Sequence, residues 1–248
     1  MSFMFKDMLV LDSVDSTNNY AMALIQNDAG SRPRAVFAME QTQGKGRRGR
    51  QWQSHKGENI MLSVPLPMQW LPVSRQFELS VAVALGCLDL LSGYIPGKVF
   101  IKWPNDIFIN DTKAGGVLIE NVIKGTLWQW AVIGIGMNIN QQKFDHLERT
   151  ATSLNIATGE TFNVLELAEA LWGFILQRTE SLRAGHFQQM LHEYNSHLYA
   201  KDKIVKLKRQ NIVFETKITG VSSSGELITH DSMEHRFTFD EVEFKGLV

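Results

Sequence analysis

Strand-like segments are concentrated in the first 140 residues of this chain, and helix-like segments lie between and after them. Residues 59–66 and 127–135 alternate like strands, and Pro65 and Pro67 are expected to end the first of these strands. Between them, residues 74–91 are rich in Ala, Val and Leu, as is typical of a helix buried on most sides. This order of elements predicts an α/β or α+β fold in which helices pack on a mixed sheet, and we expect the α+β class.

Other elements follow from local signals. Asp15, Ser16 and Thr17 are natural N-caps for a first helix, because their side chains accept hydrogen bonds from unpaired backbone N–H groups. Asn110-Asp111 predicts the turn of a hairpin. Further strands are predicted at residues 8–14, 35–39, 99–103, 106–109 and 116–122, and further helices at residues 164–182 and 186–198.

The character of the chain changes after Ala200. Short strand-like runs at residues 203–207, 212–219, 226–229 and 235–239 are separated by turn residues. This pattern predicts a small β-barrel of SH3-like size. A unit of this size is only marginally stable alone, so it should pack on the main domain. We therefore expect two domains, at residues 1–199 and 200–248.

Composition narrows the class of protein. The chain has 248 residues, 44% of them hydrophobic, and a formal net charge of −1. A general nucleic-acid binder with a basic face is therefore not expected. The single cysteine, Cys87, excludes an intrachain disulfide framework and a paired-cysteine metal site, and its apolar helical setting predicts a buried, inert thiol.

The chain shows no sign of membrane insertion or secretion. No segment approaches the roughly 18 uninterrupted apolar residues of a membrane span. The N-terminus lacks the basic start and small-residue cleavage site of a secretion signal. A cytoplasmic protein is therefore expected.

Positive charge is concentrated in one glycine-rich segment, residues 41–52. Four cationic side chains and three glycines alternate between Gly44 and Arg50. Glycine increases backbone freedom, and guanidinium groups bind phosphate or carboxylate oxygens in a forked geometry. The segment thus predicts a lid, poorly ordered when empty, that closes over an anionic ligand; a solvated surface loop and a nucleic-acid patch are the alternatives.

Small polar residues from Asp15 to Asn19 form a second motif. A helix N-cap explains one of them, but the hydroxyl and amide groups of Ser16, Thr17 and Asn18 also suit a neutral polar ligand such as a urea. Gln41 ends a predicted strand, where its side-chain amide can point into the same cleft.

Lys102-Trp103-Pro104-Asn105-Asp106 forms a third motif. A strand ended by proline, followed by a turn, is a sufficient structural explanation. The functional interpretation places Lys102 near phosphate, and Asn105 or Asp106 near a magnesium ion, which prefers oxygen ligands.

Lys113-Ala114-Gly115-Gly116 leads into a predicted buried strand. The glycines permit close backbone approach, and the lysine can direct its ammonium into the cleft; an exposed hairpin lysine is the alternative. Gly134 and Gly136 are half of a dinucleotide-binding fingerprint, but no suitable helix follows, so that interpretation is rejected.

The order and spacing of five motifs resemble those of biotin–protein ligases. They are Ser16-Thr17-Asn18, the segment from Gly44 to Arg50, Lys102-Trp103-Pro104-Asn105-Asp106, Lys113-Ala114-Gly115-Gly116 and Gly136-Met137-Asn138. The resemblance covers residues 10–195, and the β-rich tail is similar to the small C-terminal domain of the family. It implies the class II synthetase-like fold shared by biotin and lipoate ligases.

The resemblance also implies a reaction in two steps. Biotin and MgATP give biotinyl-5′-AMP and pyrophosphate, and a lysine of a biotin carboxyl carrier protein domain, part of a biotin-dependent carboxylase, then attacks the mixed anhydride. Fixed cations in a closed site would let the biotin carboxylate approach the triphosphate. No protein nucleophile is required.

Residue roles follow from the matched motifs. Lys113 and Arg47 are assigned to catalysis, with Lys113 bridging the biotin carboxylate and the α-phosphate. The residues implied in biotin binding are Ser16, Thr17, Asn18, Gln41, Gly44, Lys45, Gly46, Arg47, Lys113, Gly115 and Gly116. Those implied in ATP binding are Arg47, Arg50, Trp52, Lys102, Asn105 and Asn138, and Asp106 is the candidate ligand of Mg²⁺.

Three rival functions remain. A lipoate-type ligase shares the fold and the adenylation chemistry, although the polar Ser16–Asn18 segment favours a ureido ring. A biotin-binding module without turnover and a nucleic-acid binder are the others. The chain begins almost directly at the catalytic region, which predicts a ligase without repressor function and without a DNA or membrane partner; two subunits could pair through exposed strands of the main sheet.

Overall fold

A computed structural model describes residues 8–27, 34–144 and 151–248 of the chain. The strands of the main sheet are β1 (Leu9–Leu11), β2 (Val36–Ala38), β3 (Asn59–Pro67), β4 (Val99–Lys102), β5 (Asp106–Ile109), β6 (Thr112–Lys124) and β7 (Leu127–Asn138). The helices are α1 (Thr17–Asn27), α2 (Gln76–Ser92), α3 (Leu154–Thr158), α4 (Val164–Arg183) and α5 (Phe187–Ser196).

The seven strands form one mixed sheet in the order β1-β2-β3-β7-β6-β5-β4. The pair β1 and β2 is parallel, and the other neighbouring pairs are antiparallel. Helices α2, α4 and α5 contribute to the main buried core together with the sheet. The predicted α+β class is confirmed.

The two faces of β7 have different surroundings because side chains alternate along a strand. Ile133 and Ile135 belong to the main core. Val132, on the opposite face, packs with Ala21 and Ile25 of α1 in a smaller cluster. Helix α1 therefore lies on the face to which Gly134 and Gly136 also belong, and this face carries the candidate site.

Strands between residues 204 and 247 form a second, separate sheet. Its strands are β8 (Ile204–Arg209), β9 (Ile212–Val221), β10 (Leu227–His230), β11 (Glu234–Phe237) and β12 (Glu243–Leu247), in the order β11-β10-β9-β8-β12. The predicted small β unit is confirmed, but β11 and β12 are edge strands, so the sheet is open where a barrel would be closed. The division into two domains near residue 200 stays a prediction.

Aromatic side chains connect the C-terminal sheet to the main one. The Trp103 indole donates to the carbonyl of Gly225 at 2.9 Å and lies 5.6 Å from the Phe239 ring, between centroids. The Lys102 ammonium lies 4.7 Å from the Phe108 ring centroid and 4.4 Å from that of Phe244. Lys102 is only 9% exposed. It is therefore enclosed where the two sheets meet.

Most predicted elements are present with shifted ends. The hairpin at Asn110-Asp111 is confirmed, with Asn110 at a φ of 51°. Pro65 does not end β3, since it pairs with Val132 of β7, but the strand does end at the second predicted proline, Pro67, opposite Trp130. Two short elements, α3 and β12, have no counterpart among the predictions.

The expectation for Cys87 is confirmed. The thiol is buried within α2, and burial raises its pKa to about 12, so it stays protonated at neutral pH. Within the three described ranges, no helix is both long and apolar enough to cross a membrane.

Candidate active site

A row of glycines makes room for a cavity on the α1 side of the main sheet. Gly116 of β6 lies opposite Gly136 of β7, and Leu118 lies opposite Gly134. Directly opposed residues of antiparallel strands project from the same face. The missing side chains leave a trough, which α1 borders at one end and the glycine-rich loop at residues 41–52 covers.

Predicted residues from four separate segments line this cavity. They are Ser16, Thr17, Asn18, Gln41, Lys45, Gly46, Arg47, Trp52, Asn105, Lys113 and Gly116. Their separation along the chain reaches 100 positions, so the sheet and the loop bring them together. The cavity is also lined by Val117, Leu118, Gly134, Ile135 and Gly136.

The start of α1 forms a polar end of the cavity. The Thr17 backbone N–H donates to Gln41 Oε1 at 2.8 Å, and the Thr17 hydroxyl lies 3.0 Å from the same oxygen. The Ser63 hydroxyl lies 2.8 Å from Thr17 Oγ1 and 2.5 Å from Asn18 Oδ1. Ser16 and Asn18 are nearly fully buried. This end therefore holds fixed hydroxyl and amide groups, which suit a neutral polar ligand.

Lys113 projects from the start of β6 into the cavity and pairs with Asp106 of β5. Its Nζ lies 2.7 Å from Asp106 Oδ1, and the two side chains are 36% and 21% exposed. A Cβ at Gly116 would lie 3.4 Å from Nζ, so glycine leaves space beside the amine. Asp106 thus holds the ammonium in one place while leaving it accessible to a ligand.

Arg47 supplies a second cation from the loop. Its Nη1 donates to Asn105 Oδ1 at 3.2 Å, and its guanidinium lies 5.3 Å from the centroid of the Phe239 ring. Burial lowers the pKa of Arg47 from its ordinary value, and the charge of Asp240 opposes that shift. The side chain remains charged, because the ordinary pKa of arginine is far above neutrality.

The loop itself forms a tight turn. The backbones of Lys45 and Gln51 form an isolated antiparallel β-bridge, and the Gly46 N–H donates to the Arg50 carbonyl at 2.7 Å. Arg48, at a φ of 56°, points outward and donates to Asp240 Oδ1 at 2.6 Å. The loop is therefore attached to the C-terminal sheet on its outer side, and its predicted disorder when empty stays a prediction.

Trp52 closes the loop and lies flat against β7. A Cβ at Gly136 would overlap its indole ring, and the Lys113 ammonium lies 5.8 Å from the ring centroid. The indole Nε1 is buried and has no partner among the described residues. Glycine at 136 is therefore required for Trp52 to occupy this place.

Replacing Gly136 with alanine should destabilise the protein by about 1–3 kcal/mol, the usual cost of overpacking. The added methyl group would displace the Trp52 indole. Urea unfolding measures the change. Gly93→Ala is the control, because a Cβ at Gly93 makes only ordinary contacts; equal stability of the two variants would contradict the packing argument.

Some predicted residues lie outside the cavity. Gly44 and Arg50 border an outer recess beside the loop, and the Gly44 carbonyl accepts from the backbone N–H of Trp52 at 2.9 Å. Asn138 is buried and donates to the Thr152 carbonyl at 3.0 Å. Gly115 is buried on β6, and Lys102 is enclosed between the sheets. Their contacts with biotin or ATP stay predictions.

Sequence patterns did not indicate Ser63, Glu120 or Gly134 as site residues. Ser63 lies inside β3 and is fully buried, and a Cβ at Gly134 would overlap the Asn18 side chain. Their role depends on the register of β3, β6 and β7, for which no local motif exists.

One acidic group at the cavity, Asp106, fits a magnesium ion that is also held by a nucleotide. Among the described residues, no three His, Cys, Asp or Glu side chains form a metal-binding cluster. Mg²⁺ in nucleotide sites commonly uses one or two carboxylates and the phosphate oxygens. Asp106, beside Lys113 at the cavity, supplies one such carboxylate.

Comparison with known proteins agrees with this geometry. Residues 10–138 match the model of the biotin/lipoate A/B protein ligase family. This match covers more than half of the chain, including the loop, Lys113 and most of the main sheet. The chain belongs to the biotin/lipoate A/B protein ligase family.

Individual relatives are named as ligases, and some of the names include biotin. The bifunctional ligase/repressor BirA of Bacillus spizizenii is 28% identical over 228 residues, which are 91% of this chain and 70% of BirA. The biotin–[acetyl-CoA-carboxylase] ligase of Paracoccus denitrificans is 34% identical over 164 residues, 65% of this chain and 67% of that ligase. The biotin protein ligase of Aquifex aeolicus, solved with biotin and ATP, has the same fold, with a TM-score of 0.82, 24% identity and coverage of 97% and 99%.

Proposed function

We propose that this chain is an ATP-dependent biotin–protein ligase. It would convert biotin and ATP to biotinyl-5′-AMP and pyrophosphate, and then transfer biotin to a lysine of a biotin carboxyl carrier protein domain. The observation that carries the proposal is one cavity that joins a neutral polar end, at Ser16–Asn18 and Gln41, to two cations, Lys113 and Arg47. The names of the family relatives agree with it.

The cations address the main barrier of the first step. A carboxylate must approach a phosphate that is itself negatively charged, and charges of one sign repel strongly in a closed site of low polarity. Lys113, held by Asp106 at 2.7 Å, places a positive charge where the two anions meet. Arg47 adds a second charge, which Asn105 orients from the opposite wall. Because both groups are already positioned, little reorganisation is needed during reaction.

The polar end of the cavity suits the ureido ring of biotin. A urea carries both N–H donors and a carbonyl acceptor, and the hydroxyl and amide groups of Ser16, Thr17, Asn18 and Gln41 can match them. Trp52 provides an aromatic wall near Lys113. This arrangement directs the carboxylate of the acid toward the ammonium at the other end.

Magnesium would be held by Asp106 and the ATP phosphates. When bound, the ion neutralises phosphate charge during pyrophosphate departure. Asn105 precedes Asp106 in the chain, and its Oδ1 accepts a hydrogen bond from Arg47. Closure of the loop at residues 41–52 would keep water from the acyl-adenylate until the carrier lysine arrives.

Isotopic ATP–pyrophosphate exchange tests the proposal directly. Exchange that depends on biotin, and is much weaker with lipoate or octanoate, is the expected result. Exchange that prefers lipoate would identify a lipoate-type ligase. Absence of exchange with any of these acids, combined with measurable biotin binding, would indicate a binding module without turnover.

A further inference from the structure

Glu120 lies on β6 beside the cavity and contacts two residues of the candidate site. Its Oε2 accepts from Asn18 Nδ2 at 2.7 Å, and its Oε1 lies 3.5 Å from Lys45 Nζ. In the sheet, Glu120 is opposite Val132, one pleat beyond Leu118 and Gly134. Since Gly134 has no side chain, the Asn18 carboxamide lies over it and reaches the carboxylate.

The carboxylate determines which way the Asn18 amide faces. An ionised carboxylate only accepts hydrogen bonds, so the amide nitrogen must point toward Glu120. The amide oxygen must then point the other way, where the Ser63 hydroxyl lies 2.5 Å from it. A carbonyl oxygen has two lone pairs. Ser63 can satisfy one of them, and no second donor among the described residues contacts this oxygen. The other lone pair can therefore accept an N–H group of a ligand in the cavity that Asn18 lines.

We propose that Glu120 is a positioning residue for ligand selection. It fixes the Asn18 amide with its oxygen available to the ligand, and this arrangement favours an acid whose ring carries an N–H donor, such as a cyclic urea. The inference rests on the proposed ligase function. Through Lys45, the same carboxylate also connects this end of the cavity to the glycine-rich loop.

Steady-state exchange kinetics of Glu120→Ala test the proposal. The KM for biotin should rise about tenfold, the scale of losing a hydrogen bond to a charged group, whereas kcat and the KM for ATP should change less than about twofold. Glu215→Ala is the matched control, because it removes a strand carboxylate that lies 3.7 Å from Lys206 in the C-terminal sheet. All three constants of the control should match those of the unmodified protein.

A double-mutant cycle separates positioning from general structural damage. If Glu120 acts through Asn18, adding Glu120→Ala to Asn18→Ala should raise the KM for biotin by less than about twofold beyond Asn18→Ala alone. Independent effects would instead multiply. Multiplying effects, or a KM for biotin within about twofold of the unmodified value in Glu120→Ala, would overturn the proposal.

Glu120→Gln tests the positioning role of Glu120 if the alanine variant does not fold. Glutamine can accept from Asn18, but it can also donate to the Asn18 oxygen, so the amide loses its fixed direction. We expect the KM for biotin to rise at least about threefold, and an unchanged KM would overturn the inference. Biotin-dependent exchange by the unmodified protein tests the ligase function separately, and its absence would remove both proposals.

Discussion

Replacing Lys113 with alanine should slow biotin-dependent pyrophosphate release about 100- to 1,000-fold, the effect typical of removing one preorganised charge stabiliser. The ammonium lies in the cavity and is held 2.7 Å from Asp106. Its removal takes away the charge at the meeting point of two anions and leaves the Asp106 carboxylate there to repel them. Pre-steady-state measurement of pyrophosphate release reports this step directly.

A matched control exists on the same strand. Lys124 ends β6 and is exposed, far from the cavity, so Lys124→Ala makes the same chemical change without affecting the site. Its rate should equal that of the unmodified protein. Pyrophosphate release by Lys113→Ala within about tenfold of the unmodified rate would remove Lys113 from its assigned role.

Replacing Arg47 with glycine should release the biotinyl-adenylate about tenfold faster without abolishing its synthesis. Arg47 joins the loop to the opposite wall through Asn105, at 3.2 Å, and places its charge inside the cavity. A charge-assisted contact of this kind contributes about a factor of ten or more to retention. Glycine also increases the freedom of the loop. Dissociation of preformed adenylate in a rapid-dilution experiment gives the rate.

Arg48→Gly is the matched variant in the same loop. It loses the same charge, but Arg48 points outward to the exposed Asp240, and its φ of 56° already suits glycine. Release should stay within about threefold of the unmodified rate. If both variants released the adenylate equally fast, loop flexibility alone would explain the effect; adenylate release by Arg47→Gly no faster than normal would contradict the lid role.

Sequence order was sufficient to predict which segments meet. The small polar run at Ser16–Asn18, the loop cations Lys45 and Arg47, and Lys113 all line one cavity, as their shared interpretation requires. Such motifs are visible because each gathers polar or charged side chains at a few neighbouring positions, and the loop and the Lys113 motif also contain glycine. The alternating strands and the apolar helix α2 were visible for the same reason: their periods are local properties of the chain.

Motif membership did not determine the position of every side chain. Lys102 and Asn138 belong to predicted motifs, yet one is enclosed by Phe108 and Phe244, and the other is bonded to the Thr152 carbonyl. Local patterns also missed α3 and β12, which are only five residues long each. Five residues are little more than one helical turn, so α3 shows no helical period.

The sequence alone determined the α+β class, the polar and cationic segments and their common site. Only the tertiary structure decided that Glu120 faces Asn18, that Gly134 and Gly136 make room for Asn18 and Trp52, and that the loop is attached to Asp240. These relations depend on the register between strands far apart in the chain and on the contact between two sheets. The alternating pattern of a strand specifies which side chains face the core, because a slip of one residue would turn them all to the opposite face. It does not specify which residue of the neighbouring strand lies opposite each of them, because a slip of two residues keeps the same faces.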